Sequence, residues 1–312
     1  MYAAAIVFER PGEVAVRRLA LHDPGPADVV VETVASGVST GTEKMLFQGT
    51  MPRFPGMNYP LVPGYETVGR VIQAGPDSGQ RVGAMVFVPG ASCYENAAGL
   101  FGANASHLIV PGARVFEIGA ALNENGVLLA LAATAHHAIK RAQGPVGLVV
   151  GHGVLGRLIA RLVMALGFAA PVVWETAAAR RTGASGYRVT DPAEDGDTRY
   201  GTAIDASGDA SAIDGIITRL NKPAELILAG FYGERVGYAF APAFMRELTL
   251  SIAAEFRPED VAAVIRLAET GRLSLDGLLT HRATPAQASS AYPTAFNDLG
   301  CLKMVIDWRI AA

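Results

Sequence analysis

Residues 147–167 read GLVVGHGVLGRLIARLVMALG, and this stretch decides how the rest of the chain is read. Leu148-Val149-Val150 is a short apolar β-type run, and Arg157–Leu166 has the spacing of an amphipathic helix. Between them Gly151-His152-Gly153-Val154-Leu155-Gly156 matches GxGxxG. The pattern is weak alone and strong where a strand precedes it and a helix follows. Gly151 permits a tight turn, Gly153 lets the backbone approach a pyrophosphate, and Gly156 allows helix and strand to pack closely. The helix start at Val154 and Leu155 then offers unpaired N–H groups and a positive dipole end to phosphates. His152 has its side chain directed away from the phosphates and reads as incidental.

Glu175, 19 residues beyond Gly156, ends the next β-run, PVVWE. A carboxylate there accepts ribose hydroxyls and repels a 2′-phosphate, which favours NAD over NADP. Arg180 and Arg181 follow closely; service to a 2′-phosphate and a solvated place near the adenine both stay open. Further on, GTAIDASG and AELILAGFY read as strands with the helical SAIDGIITRL between them. Alternating strand and helix implies a doubly wound parallel sheet. RPEDVAAVIRLAETG is a marked helix, with Pro258 in its first turn and Gly271 as its stop.

The first ~125 residues have another texture, with short β-type runs (AAAIVF, VAVRRL, DVVVETVAS, TVGRVIQAG, AMVFVP, HLIVPG) between Gly/Pro turns. They point to an all-β, barrel-like unit. The closing run CLKMVIDW finds a strand partner only if the tail returns to that unit. The expected division is 1–126 for the β-rich domain, 127–256 for the nucleotide domain and 257–312 for the returning segment.

Of 312 residues, 50% are hydrophobic and 18% charged, with a net charge of −3 and no Lys/Arg block. A folded two-domain protein is expected, and a nucleic-acid partner is not. Cys93 and Cys301 make no disulfide framework, which suits a reducing cytoplasm. MYAAAIVFERPGE meets charge after a short apolar run, so neither a signal peptide nor a transmembrane segment is expected. His136 and His137 are successive helix residues about 100° apart, read as unable to reach one ion together.

A β-rich head, a GxGxxG core and a returning tail together resemble the medium-chain dehydrogenase/reductase superfamily. That likeness implies an α/β fold with a GroES-like β-barrel catalytic domain beside a Rossmann doubly wound parallel sheet. Where the superfamily's zinc enzymes carry a ligating cysteine, this chain has Ser39, in SGVSTGTE; Tyr65 replaces the histidine of a GHE motif. LLALAATAHHA lacks the next cysteine, and VPGASCYENAAGLFG keeps only Cys93 of a structural zinc lobe. No metal is therefore expected. The segments VVETVASGVSTGTEKMLFQGTMPRFPGMNYPLVPGYETVGRV, VFVPGASCY, AGLFG, VVWE, ILAGFYGERV and APAFMRE narrow the likeness to the hydroxyethyl bacteriochlorophyllide dehydrogenases of bacteriochlorophyll biosynthesis.

The resemblance implies NAD-dependent oxidation of a hydroxyethyl group on a chlorin or bacteriochlorin pigment to acetyl. Without zinc, hydrogen-bonding or basic side chains must serve the developing alkoxide. Tyr65 is the first choice, with Lys44 as the cation that lowers its pKa. Ser39 and Thr42 are read as a proton relay, and Glu66 as the group that orients Tyr65 or takes the proton. His136 and His137 come next as base candidates. Thr134, Ser207, Gly208, Gly230, Phe231 and Tyr232 are carried over to the cofactor side, Tyr232 also to the substrate. The loop Phe47–Tyr59 is read as the wall of a wide apolar cleft, with Arg53 for a substrate carboxylate and Phe54 and Tyr59 beside it. A homodimer through the edge of the nucleotide sheet is also implied; whether the protein docks peripherally at photosynthetic membranes stays open. Two alternatives stay open: an NADPH-dependent enone or quinone reductase, and a non-catalytic pigment-binding protein.

Overall fold

The computed structural model describes residues 1–53, 55–196, 198–233 and 235–309. They form two compact units: Met1–Ala130 together with the chain from Leu278 onward, and Leu131–Gly277.

The first unit is organised on the strand Asp28–Val38, whose β-branched sequence DVVVETVASGV is buried over most of its length. It pairs antiparallel with Thr67–Ala74, and its opposite edge is shared by two strands. His107–Pro111 takes the first half of that edge, and Lys303–Asp307, returning from the tail, takes Ala35–Val38. Met85–Val88, Phe116–Glu117 and Leu279–Ala283 complete the seven strands. Glycine permits the closest approach, since a Cβ at Gly69 would stand 2.4 Å from the Glu32 carbonyl oxygen. The hairpin Tyr2–Arg10/Glu13–Ala20 is laced to this unit by Ile6 N–H to Asn104 O and Ser106 N–H to Ala4 O.

The tail returns through a charge as well as a strand. Lys303 is 1% exposed. Its Nζ donates to both Glu66 oxygens, at 2.9 and 2.6 Å, and to the Val38 carbonyl at 3.2 Å. Trp308 adds an indole bond to Ser36 Oγ at 2.8 Å. Gly37 makes room for the pair, because a Cβ there would lie 2.3 Å from Glu66 Oε2.

The second unit is a six-stranded, all-parallel sheet. From Val146–Val150 onward its strands stand in the order third, second, first, fourth, fifth, sixth. This is the doubly wound arrangement, and the order reverses between Val146–Val150 and Tyr200–Asp205. Their bodies, LVV and AID, are apolar or buried throughout, because helices on a parallel sheet hide both faces. Among the described residues no helix is long and apolar enough to cross a membrane.

One expectation is corrected here. The return to the first unit begins at Leu278 and not at 257, because the helix Pro258–Glu269 belongs to the second unit. Asp260 on that helix accepts Nδ1 of His136 at 2.8 Å and of His137 at 3.1 Å, with Lys140 at 3.5 Å. The two histidines share one carboxylate, each on its own oxygen. The Arg257 N–H also donates to Asp260, at 3.0 Å, and so caps the helix.

Lys303→Met should cost about 3–5 kcal/mol, because it strands the Glu66 carboxylate in the interior. In equilibrium denaturation the double variant Lys303→Met/Glu66→Gln is expected to lose less than the sum of the two single variants.

Candidate active site

Lys303 grips Val38 and Glu66, and the next residues along each chain segment are Ser39 and Tyr65. Their hydroxyls lie 2.6 Å apart. Thr42 Oγ1, from the first turn of the helix Thr42–Gln48, is 3.2 Å from each of them, closing a triangle of hydroxyls. Ser39 is buried, while Tyr65 and Thr42 are half-buried, so the cluster spans from interior to surface. The Tyr65 ring meets Phe101 edge-on at 5.0 Å, which fixes its plane. Sequence reading brought Tyr65, Ser39 and Thr42 to one place, and the structure joins them.

Glu66 and Lys44 are placed otherwise. Glu66 is fully buried and both its oxygens are taken by Lys303, so its carboxylate holds the tail in place and has no hydrogen bond to the hydroxyl triangle. Burial raises its pKa and Lys303 opposes the rise. Lys44 turns its ammonium to the Phe296 carbonyl at 3.0 Å. The Tyr65 phenol is instead pushed well above its ordinary value, first by burial and then by the Glu66 charge, against the hydrogen bonds of Ser39 and Thr42. It is a neutral hydroxyl at physiological pH, able to pass a proton but not to act as a standing phenolate base.

Beneath the triangle lies a layer that sequence reading missed. Glu43 is 0% exposed. Its Oε1 accepts the Ser39 N–H at 3.1 Å, and Oε2 faces Asn104 Nδ2 at 3.4 Å. Asn104 also bonds Tyr292 OH at 2.9 Å. Burial, then the nearby Glu66, push the Glu43 carboxyl up to about 8. The signals were present: a lysine inside CLKMVIDW, and a carboxylate directly after Thr42.

In the second unit the Gly-rich turn occupies the sheet's switch point, where open α/β sheets bind ligands. Gly151 has φ +93°, and a Cβ at Gly156 would lie 1.8 Å from the Gly151 carbonyl oxygen. A Cβ at Gly153 would meet nothing within 4 Å, and no side chain caps the helix Val154–Ala165 that starts there. Open space above uncapped N–H groups fits a dinucleotide pyrophosphate. Glu175 closes the rim, accepting His152 N–H at 2.9 Å and Ala177 N–H at 2.8 Å.

His152 is not incidental. It is buried and neutral, its pKa lowered to about 4 chiefly by that burial. Nδ1 lies 2.7 Å from the Arg180 carbonyl, which can only accept, so Nε2 takes the Tyr187 hydroxyl at 2.9 Å. Buried Arg157 adds bonds to the carbonyls of His152, Arg180 and Thr182. Arg181 is committed to the carbonyls of Glu175 and Thr176 and to Asp191. Arg180 thus contributes its backbone to the rim.

Across the switch point, Ser207 N–H bonds Asp205, and Gly208, at φ +70°, packs against Gly230. Phe231 is exposed and Thr134 half-buried. Tyr232 gives its hydroxyl to the buried Asp205, which makes it a support of this turn. In the first unit Tyr59 donates to the Leu46 carbonyl and Arg53 is exposed, while Phe54 lies outside the described residues.

Residues 25–120 match the alcohol dehydrogenase GroES-like domain. Over 100% of both chains the sequence is 50% identical to the 2-desacetyl-2-hydroxyethyl bacteriochlorophyllide A dehydrogenase of Cereibacter sphaeroides. It is 50% identical, again over 100% of both, to the dehydrogenase of the same name from Rhodobacter capsulatus. The chain belongs to this dehydrogenase family. It is an oxidoreductase of the medium-chain dehydrogenase/reductase superfamily. The architecture agrees: L-idonate 5-dehydrogenase from Escherichia coli aligns over 98% of each chain with a TM-score of 0.85 at 18% identity. Among the described residues of this family member, no three His, Cys, Asp or Glu side chains gather as a metal-ligand set.

The glycines of the turn are separable by experiment. Gly156→Ala should lower stability by about 1–3 kcal/mol, because its Cβ has no room. Gly153→Ala should leave the melting temperature near that of the parent protein.

Proposed function

We propose that this dehydrogenase oxidises the hydroxyethyl group of 2-desacetyl-2-hydroxyethyl bacteriochlorophyllide a to an acetyl group, with NAD as oxidant and no catalytic metal. The full-length identity to relatives bearing that name supports the substrate. The hydroxyl triangle carries the mechanism: Ser39 and Tyr65, at the positions where the resemblance expects zinc ligands, lie 2.6 Å apart with Thr42 3.2 Å from each.

Bound NAD supplies the hydride acceptor, C4 of its nicotinamide. The carbinol carbon gives up its hydrogen with the bonding pair, and the C–O bond becomes C=O. As the substrate O–H breaks, its proton goes to the Tyr65 oxygen while the Tyr65 proton moves to Ser39, 2.6 Å away. Thr42, whose hydroxyl donates into the cluster at rest, turns its O–H outward, accepts the Ser39 proton and passes its own to water. Each hydroxyl ends with one proton, so no free phenolate is needed; this suits a phenol whose pKa burial has raised. The products are the acetyl pigment, NADH and one proton.

Two observations support NAD over NADP. The Glu175 carboxylate occupies the end of the second strand, and Arg181 is held by backbone carbonyls and Asp191 away from service to a phosphate. A homodimer is part of the reading. Thr249–Ile252 is an edge strand, and Phe240, Phe244, Met245 and Ile252 beside it are each at least 65% exposed.

Purified protein should convert the hydroxyethyl pigment to the acetyl pigment with NAD and much more slowly with NADP. Tyr65→Phe is expected to lose about 10²-fold or more in kcat with little change in NAD binding. Unchanged turnover in that variant would defeat the relay, and tight binding of both ligands without conversion would favour a pigment-binding role. Preference for NADP with enone substrates would favour the reductase reading. In sedimentation velocity, Phe240→Asp should shift a dimer toward monomer.

A further inference from the structure

Glu43 is a buried acid that the relay does not consume, and it touches the relay from below. We propose that Glu43 is a positioning residue that works in its protonated form, fixing Ser39 beneath Tyr65, and that loss of its proton slows the oxidation. The inference rests on the relay proposed above and names what holds and regulates it.

The geometry is specific. Glu43 Oε1 accepts the Ser39 amide N–H at 3.1 Å, so the carboxyl sets the backbone from which the Ser39 hydroxyl reaches Tyr65. Every other neighbour bears on its charge. Glu66 approaches from the strand that begins at Thr67, and Tyr65 precedes it. Lys303, on the returning strand, is already consumed by Glu66 and the Val38 carbonyl. Asn104 and Tyr292 close the far side. Among the described residues Glu43 has no ion-pair contact of its own. Burial and then the Glu66 charge raise its pKa to about 8, outweighing the Ser39 N–H, the more distant Lys303 charge and the Tyr292 hydroxyl, which pull the other way.

Asn104 closes the pocket over the carboxyl. It is 0% exposed, and its Nδ2 lies 3.4 Å from Glu43 Oε2 and 2.9 Å from Tyr292 OH, so Glu43 meets only neutral donors on that side. A close approach keeps the two together, since a Cβ at Gly64 would stand 2.6 Å from the Asn104 amide.

The consequence for the reaction follows from charge. Negative charge develops on the substrate oxygen and Tyr65 as the O–H bond loosens. A Glu43 anion nearby repels that charge and raises the barrier, so the rate should fall as pH rises through the Glu43 transition. Stability has the same sign. Between the ordinary carboxyl value of 4.5 and about 8 the unfolded chain has lost this proton while the folded chain keeps it, so stability declines as pH rises across that window.

The test uses the full-length protein, Glu43→Gln and Glu43→Ala. Glutamine keeps the shape and neutrality of the acid, so kcat/KM at about pH 7 should stay within about threefold of the parent and its decline above pH 8 should vanish. Alanine, which removes the Ser39 contact, should cost about 30-fold or more with NAD binding intact. Two readouts need no turnover. The infrared difference between the parent and Glu43→Gln should contain a carboxylic-acid C=O band at neutral pH. The melting temperature of Glu43→Gln relative to the parent should rise with pH across the window and level off beyond it. A Glu43→Gln rate as low as that of Glu43→Ala, or a difference spectrum with only carboxylate bands, would overturn the proposal. A parent protein inert toward the pigment would defeat the relay and leave the infrared and melting results to judge Glu43.

Discussion

One buried ammonium organises the first unit. Lys303 binds Glu66 and the Val38 carbonyl together, and in doing so ties three chain segments into one place: the returning tail, the end of the longest strand and the mouth of its neighbour. Isolated in the interior, either charge would be costly. Together, with a carbonyl completing the lysine's donors, they become a rigid joint. Ser39 and Tyr65 are each one residue away from that joint, so the 2.6 Å contact between their hydroxyls is set by the ion pair and not by their own flexibility. A site that must move a proton between neutral groups depends on such distances more than on the strength of any base.

The nucleotide unit is governed by the same kind of over-determined backbone. The Gly-rich turn is conformationally permissive by composition, and its shape comes from groups that hold it from outside. Glu175 takes the His152 N–H, His152 reaches the Arg180 carbonyl and Tyr187, and Arg157 ties three carbonyls to one guanidinium. The turn and the segment following the second strand therefore form one piece. In the proposed reading the Glu175 carboxylate that braces the turn also serves the ribose.

Charge balance links stability to chemistry. Two carboxyls, Glu43 and Glu66, lie under the hydroxyl triangle with one ammonium between them. The one with the lysine is the structural anion, and the one without is favoured as a neutral acid. Tyr65, above both, is kept from ionising by burial and by the Glu66 charge. A phenol of this kind suits concerted transfer and not a stored charge.

The periodicities that separate the two units are local properties of the sequence. Alternating β-runs between Gly/Pro turns marked the first unit, and strand, GxGxxG and helix marked the second, down to the roles of Gly151 and Gly156. Ser39 and Tyr65 were legible because they are hydroxyls at positions where the resemblance expects metal ligands, and Thr42 reads beside them as a relay. Long-range partners were not legible. Glu66 looked like a proton-handling group until Lys303, 237 positions away, was found on it. His136 and His137 looked independent until Asp260 arrived from a helix 123 residues and more along the chain. Lys44 had a plausible target in sequence and a different one in space. The reason is physical: backbone period and turn chemistry are set by neighbours along the chain, whereas the state of a buried charge depends on whatever the fold brings within about 4 Å of it.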